Sequence, residues 1–362
     1  MAQFKSGVTP DNNEHLYVTI LAGGAGSRFW PASTKLKPKQ LLPLATSQPM
    51  LVDTVDRALK LVPPERIRIL AGSHLNESLQ SLLPKLPAES FKIEPQVRGT
   101  AAALTWASWD IYNLDPEAVI LSLHADHIIK PEEKFLSLIK DIVAVLETHD
   151  LLFTISVNPD REETGYGYIE PGDCFAIQGE TKSFEVNSFK EKPDLESVKE
   201  YLKKGYLWNS GIFIWKAKVF IDEIYSTTPE ISDFMFYLSQ NRPIDFFENI
   251  PTMTVDEGIL ERSSRIATVL ANFQWDDVGT WSSLTRVRET DGNGNVVMGN
   301  CELIDTKNSV VYSENVSFIT YGIQDLVLIQ AGDVILATTK HLATDLKTLL
   351  NRLPDSSAGP DS

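Results

Sequence analysis

Between residues 16 and 157, short apolar runs rich in β-branched side chains alternate with longer stretches whose apolar residues recur every three or four positions. Tyr17–Leu21, Ile67–Leu70, Val119–Leu123 and Leu152–Val157 are the short runs; Met50–Leu61, Asn76–Leu83 and Phe135–Leu146 stand between them. Continuous short runs suit strands buried on both faces, whereas a 3.6-residue period gives a helix one apolar stripe. The alternation therefore predicts βαβ units, an α/β class and a Rossmann-like, mostly parallel sheet. In such sheets ligands collect beyond the carboxyl ends of the strands, so the residues just after each run are the first candidates for chemistry.

After Trp281 the pattern changes. Asn295–Met298, Cys301–Ile304, Ser309–Tyr312, Val316–Tyr321, Leu326–Gln330 and Val334–Thr338 are strand-like pieces separated by Gly, Asn and Asp, with no helical connector. They predict a small C-terminal β-helix-like unit closed by an amphipathic helix over 341–353. A chain of 362 residues is longer than one core usually serves. The expected division is a lead-in at 1–14, a catalytic-type domain at 15–285, the β unit with its helix at 286–354 and a tail at 355–362.

Asp and Glu outnumber Lys and Arg by 49 to 33, a net charge of −16, which repels phosphate backbones and argues against a nucleic-acid partner. Cys174 and Cys301 show neither metal-type spacing nor a disulfide framework, and a reducing cytoplasm is the expected setting. The apolar run from Leu16 to Ala22 is interrupted by Tyr17 and Thr19, so no membrane association is expected.

Against this acidic background, residues 15 to 52 contain no Asp or Glu but hold Arg28, Lys35, Lys37 and Lys39. The same stretch carries Leu21-Ala-Gly-Gly-Ala-Gly-Ser-Arg-Phe-Trp-Pro31 directly after a strand. Glycines let the backbone approach a ligand and turn N–H groups toward phosphate oxygens. A dinucleotide fingerprint starting at Gly24 would need glycine where Phe29 stands, and a P-loop would need Gly-Lys-Ser/Thr, which does not follow. What remains is a glycine loop with fixed positive charge, suited to stabilising a polyphosphate leaving group.

Two carboxylate positions complement it. Val119–Leu123 runs into His124-Ala125-Asp126-His127, and Asp276 and Asp277 stand in Gln274-Trp-Asp-Asp-Val-Gly-Thr-Trp281. A pair of oxygen ligands completed by phosphates and water suits Mg²⁺. His124 and His127 raise zinc as an alternative, but spacing offers no third ligand. Glu94-Pro-Gln-Val-Arg-Gly-Thr100 joins an extended piece to a helix that Thr100 would cap, which reads equally as a helix start or as a purine-edge site. Taken alone, Phe189-Lys-Glu-Lys-Pro193 reads as a solvated strand end, and Glu257 and Glu261 as a solvated helical face.

In order and in detail, these segments resemble the sugar-1-phosphate nucleotidyltransferases, and the Phe-Trp-Pro and Pro-Lys-Gln elements resemble the mannose-1-phosphate guanylyltransferases within that family. The resemblance runs from Val18 to Leu353 and includes Thr164-Gly-Tyr-Gly-Tyr-Ile169 and Trp208-Asn-Ser-Gly-Ile-Phe213. It implies that Arg28 and Lys39 hold the pyrophosphate and nucleotide phosphates, with Ala22, Gly23, Gly24, Gly26 and Ser27 as the nucleotide loop. Glu94, Arg98 and Thr100 become base-recognition residues, and Asp126 and Asp277 the Mg²⁺ ligands. Lys192 would neutralise the sugar phosphate, with Gly167, Glu191 and Asn209 around the sugar. The implied reaction joins GTP and mannose 1-phosphate into GDP-mannose and pyrophosphate.

Glucose or heptose 1-phosphate, or another base, remains an alternative, because sugar epimers differ by a single hydroxyl contact. So does a non-catalytic regulatory homologue, whose mark would be loss of Arg28, Lys39, Asp126, Lys192 or Asp277; all five are present. Longer relatives carry a sugar-phosphate isomerase domain after the β unit, and no such activity is expected of this chain. The open edges of the β unit make a homodimer a further expectation.

Overall fold

A computed structural model describes residues 14–354 apart from Ala25. The lead-in, Glu14 aside, and the tail at 355–362 lie outside the described residues. The main sheet has nine strands in the order Phe91–Glu94, Ile67–Gly72, Leu16–Leu21, Val119–His124, Leu207–Lys216, Leu152–Val157, Ile266–Leu270, Thr181–Lys190, Tyr168–Gln178. Leu207–Lys216 and Thr181–Lys190 run against the others, so the sheet is mostly parallel, as expected from the alternating runs.

Both faces of the sheet are covered, which explains why its strands read as continuous apolar runs. Leu16, Val18, Ile20 and Leu121 face one core with the helices Met50–Ala58, Asn76–Leu82 and Glu132–Leu146. Ile120 and Leu152 face the other with Thr100–Leu114 and Ala217–Thr227. Among the described residues, no helix is long and apolar enough to cross a membrane.

Beyond residue 295 the chain coils. Val296–Met298, Val310–Ser313 and Leu326–Ala331 pair in parallel, as do Cys301–Ile304 and Phe318–Tyr321, and Val334–Thr339 closes the larger sheet antiparallel. The expected closing helix over 341–353 is instead a 3-10 turn, Leu342–Asp345, followed by a short helix, Leu346–Leu350. Asp345 breaks it at φ −127°, ψ 56°, and its carboxylate accepts from the Thr348 N–H at 3.2 Å.

The coil shares a core with the glycine-loop region. Phe29, Trp30, Val278 and Trp281 pack with Val296, Ile329, Ala343 and Leu346 in one buried cluster. The Trp281 indole donates to the Trp30 carbonyl at 3.1 Å, and Lys37 pairs with Glu314 of the coil at 2.6 Å. One cation of the acid-free stretch therefore ties the two parts of the chain together rather than facing a ligand.

Candidate active site

The glycine loop leaves the strand Leu16–Leu21 and is braced by the Pro-Lys-Gln segment. Gln40, buried, donates through Nε2 to the carbonyls of Ala22 at 2.6 Å and Gly24 at 3.2 Å. Gly26 sits at φ +63°, and a Cβ there would lie 2.6 Å from that of Lys39, so the backbone leaves room for no other residue. Ser27 and Arg28 follow on an exposed 3-10 turn, Ser27–Phe29. Lys39, only 6% exposed, points its ammonium inward.

The Lys39 Nζ reaches Asp126 Oδ2 at 2.7 Å and the Asp277 carbonyl at 2.5 Å. Asp126 arrives from the carboxyl end of Val119–His124, and Asp277 from the segment after Gln274–Asp276. Burial alone would raise the Asp126 carboxyl, but the Lys39 ammonium beside it outweighs this and holds the group well below the usual range. Burial raises Asp277, against the pull of Lys39 and of Tyr166, whose hydroxyl donates to Asp277 Oδ1 at 2.5 Å. Arg161 donates to the Tyr166 oxygen at 3.0 Å, completing a chain of contacts that fixes the Asp277 carboxylate. Asp276 is engaged elsewhere: it takes both forks of Arg286 at 2.7 and 3.0 Å and accepts from the Val278 N–H.

An ammonium seated between the Asp126 carboxylate and the backbone carbonyl of Asp277, and within electrostatic reach of the Asp277 carboxylate, marks a cation position, and hard oxygen ligands suit a divalent ion such as Mg²⁺. Ligand atoms of His124, Asp126 and His127 lie within 4.8 Å of one another, so the fold supplies the third ligand that spacing did not reveal. The Trp275 indole N–H, however, donates to His127 Nδ1 at 3.2 Å. Burial lowers the pKa of both imidazoles, and the indole contact leaves the His127 proton on Nε2 in this arrangement.

Beside this centre is a cavity of about 290 Å³ lined by Ala22, Gly23, Gly24, Glu94, Thr100 and Asp126, among others. Burial pushes the Glu94 carboxyl up to about 7. Gly99, at φ +82°, lets the chain pass against Met253, whose carbonyl would lie 2.3 Å from any Cβ. Thr100 does not cap its helix; its hydroxyl accepts from the Val255 N–H at 2.9 Å, and the N-cap is Gly99. Arg98 is not brought to the cavity. Its guanidinium donates to the carbonyls of Phe247 and Glu248, at 2.8 and 3.2 Å.

Next to Tyr166, antiparallel strand pairing brings Gly167, Glu191 and Asn209 together. Asn209 donates its N–H to the Gly167 carbonyl at 2.8 Å, and Glu191 Oε2 would lie 2.6 Å from a Cβ on Gly167. The Asn209 side chain is locked: its Oδ1 accepts from Thr154 at 2.7 Å and its Nδ2 donates to Asp256 at 2.8 Å. Lys192 is exposed and paired with Glu191. Glu261 is exposed, as expected, and also accepts from the Glu191 N–H at 2.9 Å. Sequence reasoning missed Asp256, Tyr166 and Arg161. Burial, reinforced by Glu191, raises Asp256 to about 7. The available signals were the position of Tyr166 between two glycines and the unassigned acids after Val255.

Comparison with known proteins gives a consistent result. Residues 17–294 match the nucleotidyl transferase family, and residues 299–353 match the MannoseP isomerase/GMP-like beta-helix domain. The mannose-1-phosphate guanylyltransferase of Escherichia coli K12 is 33% identical over 93% of this chain and 73% of its own length. That of Salmonella montevideo is 34% identical over 92% and 73%. A Thermus thermophilus crystal structure described as mannose-1-phosphate geranyltransferase superposes with a TM-score of 0.83 at 29% identity, covering 93% of this chain and 99% of that one.

Proposed function

We propose, for a chain that belongs to the nucleotidyl transferase family and within it to the mannose-1-phosphate guanylyltransferases, that it transfers GMP from GTP to mannose 1-phosphate, releasing pyrophosphate and GDP-mannose. The observation that carries this reading is the Lys39 ammonium seated between the Asp126 carboxylate and the Asp277 carbonyl, beside a cavity that Asp126 lines together with the glycine loop and Glu94.

In this reading the guanine edge donates to Glu94, with Thr100 nearby, while Gly23, Gly24, Gly26 and Ser27 offer backbone to the phosphates. Arg28 and Lys39 take the charge of the departing pyrophosphate. Lys192, freed from Glu191, takes the phosphate of mannose 1-phosphate, and Glu191 and Asn209 accept and donate to its hydroxyls. One oxygen of that phosphate attacks the α-phosphorus as the bond to the β-phosphate bridging oxygen breaks on the opposite side. Asp126 and Asp277 would hold Mg²⁺, which would supply positive charge to offset that developing on the phosphates. Fixed charges of this kind are worth about 3 kcal/mol each in a water-poor site, and no nucleophilic side chain is required. We further place the catalytic domain at 15–285 and the β unit at 286–354, in a cytoplasmic homodimer.

The test is pyrophosphate release from GTP, ATP, UTP and dTTP, each paired with mannose, glucose and heptose 1-phosphates. Release and GDP-mannose formation should occur with GTP and mannose 1-phosphate and stop with EDTA. Release with a different pair would change the substrates, and silence across the matrix would overturn the reading.

Glu94 supplies a pH prediction. Guanine N–H donors favour its carboxylate, whereas the free protein holds the proton until about pH 7. GTP should therefore bind about tenfold more weakly at pH 6 than at pH 8. The same raised acid makes the folded state bind protons more tightly than the unfolded one, so this contribution to stability falls as pH rises from about 4.5 to 7. Calorimetric GTP titrations on the wild type and Glu94→Gln check it: the variant should lose the pH dependence, and an unchanged slope would exclude Glu94 as its source.

A further inference from the structure

A second cavity, of about 500 Å³, is lined in part by Asp277. Its walls include Arg28, Arg161, Tyr166, Asp277, Thr344 and Lys347. Arg28 comes from the glycine-loop turn, Arg161 and Tyr166 from the segment preceding Tyr168–Gln178, and Thr344 and Lys347 from the end of the C-terminal unit. We propose that this cavity holds the pyrophosphate group and lets it leave, and that Lys347, from outside the nucleotidyl transferase region, is one of its ligands. The inference rests on the function proposed above and deepens it.

The cavity reaches the candidate metal ligand Asp277 and the exposed guanidinium of Arg28, so an anion within it lies next to the reacting phosphates. The geometry is close: a Cβ on Gly279 would lie 3.1 Å from Asp277 Oδ2 and 3.7 Å from Arg28 Nη1. The acids on the same walls are already engaged. Glu163 takes Arg161 and the Gly165 N–H, Asp277 takes Tyr166, and Asp345, although it feels Lys347 through space, accepts from the Thr348 N–H. Arg28 and Lys347 form no ion pair with a carboxylate among the described residues, which leaves both cations for an incoming anion.

The backbone that carries Lys347 is anchored beside the turn that carries Arg28. The helix Leu346–Leu350 packs on the turn Ser27–Phe29, and its Leu346 is buried in one cluster with Phe29 and Val278, the neighbours of Arg28 and Asp277. The Lys37–Glu314 pair and the bond from Ser282 Oγ to the Lys340 carbonyl, 3.0 Å, fasten the same two parts. The β unit thus contributes its own cation to the cavity that Arg28 lines.

The phosphate of mannose 1-phosphate has the same chemistry, so the experiment titrates both anions separately. Inorganic pyrophosphate and mannose 1-phosphate, each with Mg²⁺, are titrated calorimetrically into the full chain as wild type, Lys347→Glu and Lys347→Arg. Reversing an exposed charge beside a bound anion should weaken pyrophosphate binding about tenfold, with arginine restoring it to within about twofold, mannose 1-phosphate unaffected and melting temperatures unchanged. Equal pyrophosphate affinity in wild type and Lys347→Glu, no pyrophosphate binding by the wild type, or a loss confined to mannose 1-phosphate would each overturn the proposal. Because these titrations need no turnover, the two readings separate. A wild type that makes GDP-mannose while Lys347→Glu binds pyrophosphate normally loses only this inference, and one that makes none while Lys347→Glu loses pyrophosphate loses only the function.

Discussion

Replacing Asp277 by Asn should lower turnover about a thousandfold, roughly 4 kcal/mol of transition-state stabilisation, while moving the melting temperature by no more than about 2 °C. The contacts that hold the segment survive the change. An asparagine oxygen still accepts from Tyr166, and Lys39 reaches the backbone carbonyl at this position rather than the carboxylate. Burial already penalises the Asp277 anion, so a neutral isostere costs the fold little. What disappears is the charged oxygen facing the cation position. Turnover within about tenfold of wild type, or about 1.4 kcal/mol, would rule out a metal-ligand role for this carboxylate.

Lys39→Ala should be nearly as damaging to turnover, and unlike Asp277→Asn it should also destabilise the protein. Removing the ammonium leaves Asp126 beside Asp277 with no adjacent cation from the loop, and breaking such a partly buried pair costs about 3 kcal/mol. A divalent ion can replace the missing charge between the acids but cannot replace the ligand of the departing phosphates. Mg²⁺ should therefore raise the melting temperature of Lys39→Ala more than that of the wild type without restoring activity.

The pH dependence follows with a definite sign. In the wild type the depressed Asp126 carboxyl contributes stability above about pH 4 that is lost as pH falls through its folded value. Without Lys39 that acid-side loss should shrink. Thermal melts between about pH 3 and pH 8, with and without Mg²⁺, check both statements, and identical Mg²⁺ shifts in the two proteins would show that Lys39 does not occupy the cation position.

The parts of this fold that were legible are those in which burial leaves a periodic trace. Val18, Ile20, Ile67 and Leu121 lie between two layers of helices, so their strands appear as unbroken apolar runs. The hairpin of Tyr168–Gln178 and Thr181–Lys190 has one largely exposed face and register shifts at Glu170, Pro171 and Cys174, and it leaves no such trace. Periodicity also overextended the last helix, because an amphipathic pattern carries no record of the dihedral break at Asp345.

At the site, motif residues were readable where the loop backbone itself imposes the residue type, as at Gly26 and Gln40. Partnerships across the sheet were not. Tyr166 meets Asp277 across 111 positions, Arg98 turns to carbonyls 149 and 150 positions away, and Lys37 is drawn to Glu314 by the docking of the β unit. Spacing can propose a charge for a site, but only packing decides which charges remain free to serve it.

Central to the proposed mechanism is a single displacement at the α-phosphorus, carried out by positioning and charge with no enzyme nucleophile. The most direct measurement is the configuration at that phosphorus when one diastereomer of GTP, carrying sulfur on its α-phosphate, reacts with mannose 1-phosphate. Inversion in the recovered GDP-mannose analogue is the predicted result, because attack in line with the departing pyrophosphate happens once. Retention would mean two displacements and a covalent guanylyl-enzyme, and would contradict the roles assigned to Arg28, Lys39, Asp126 and Asp277.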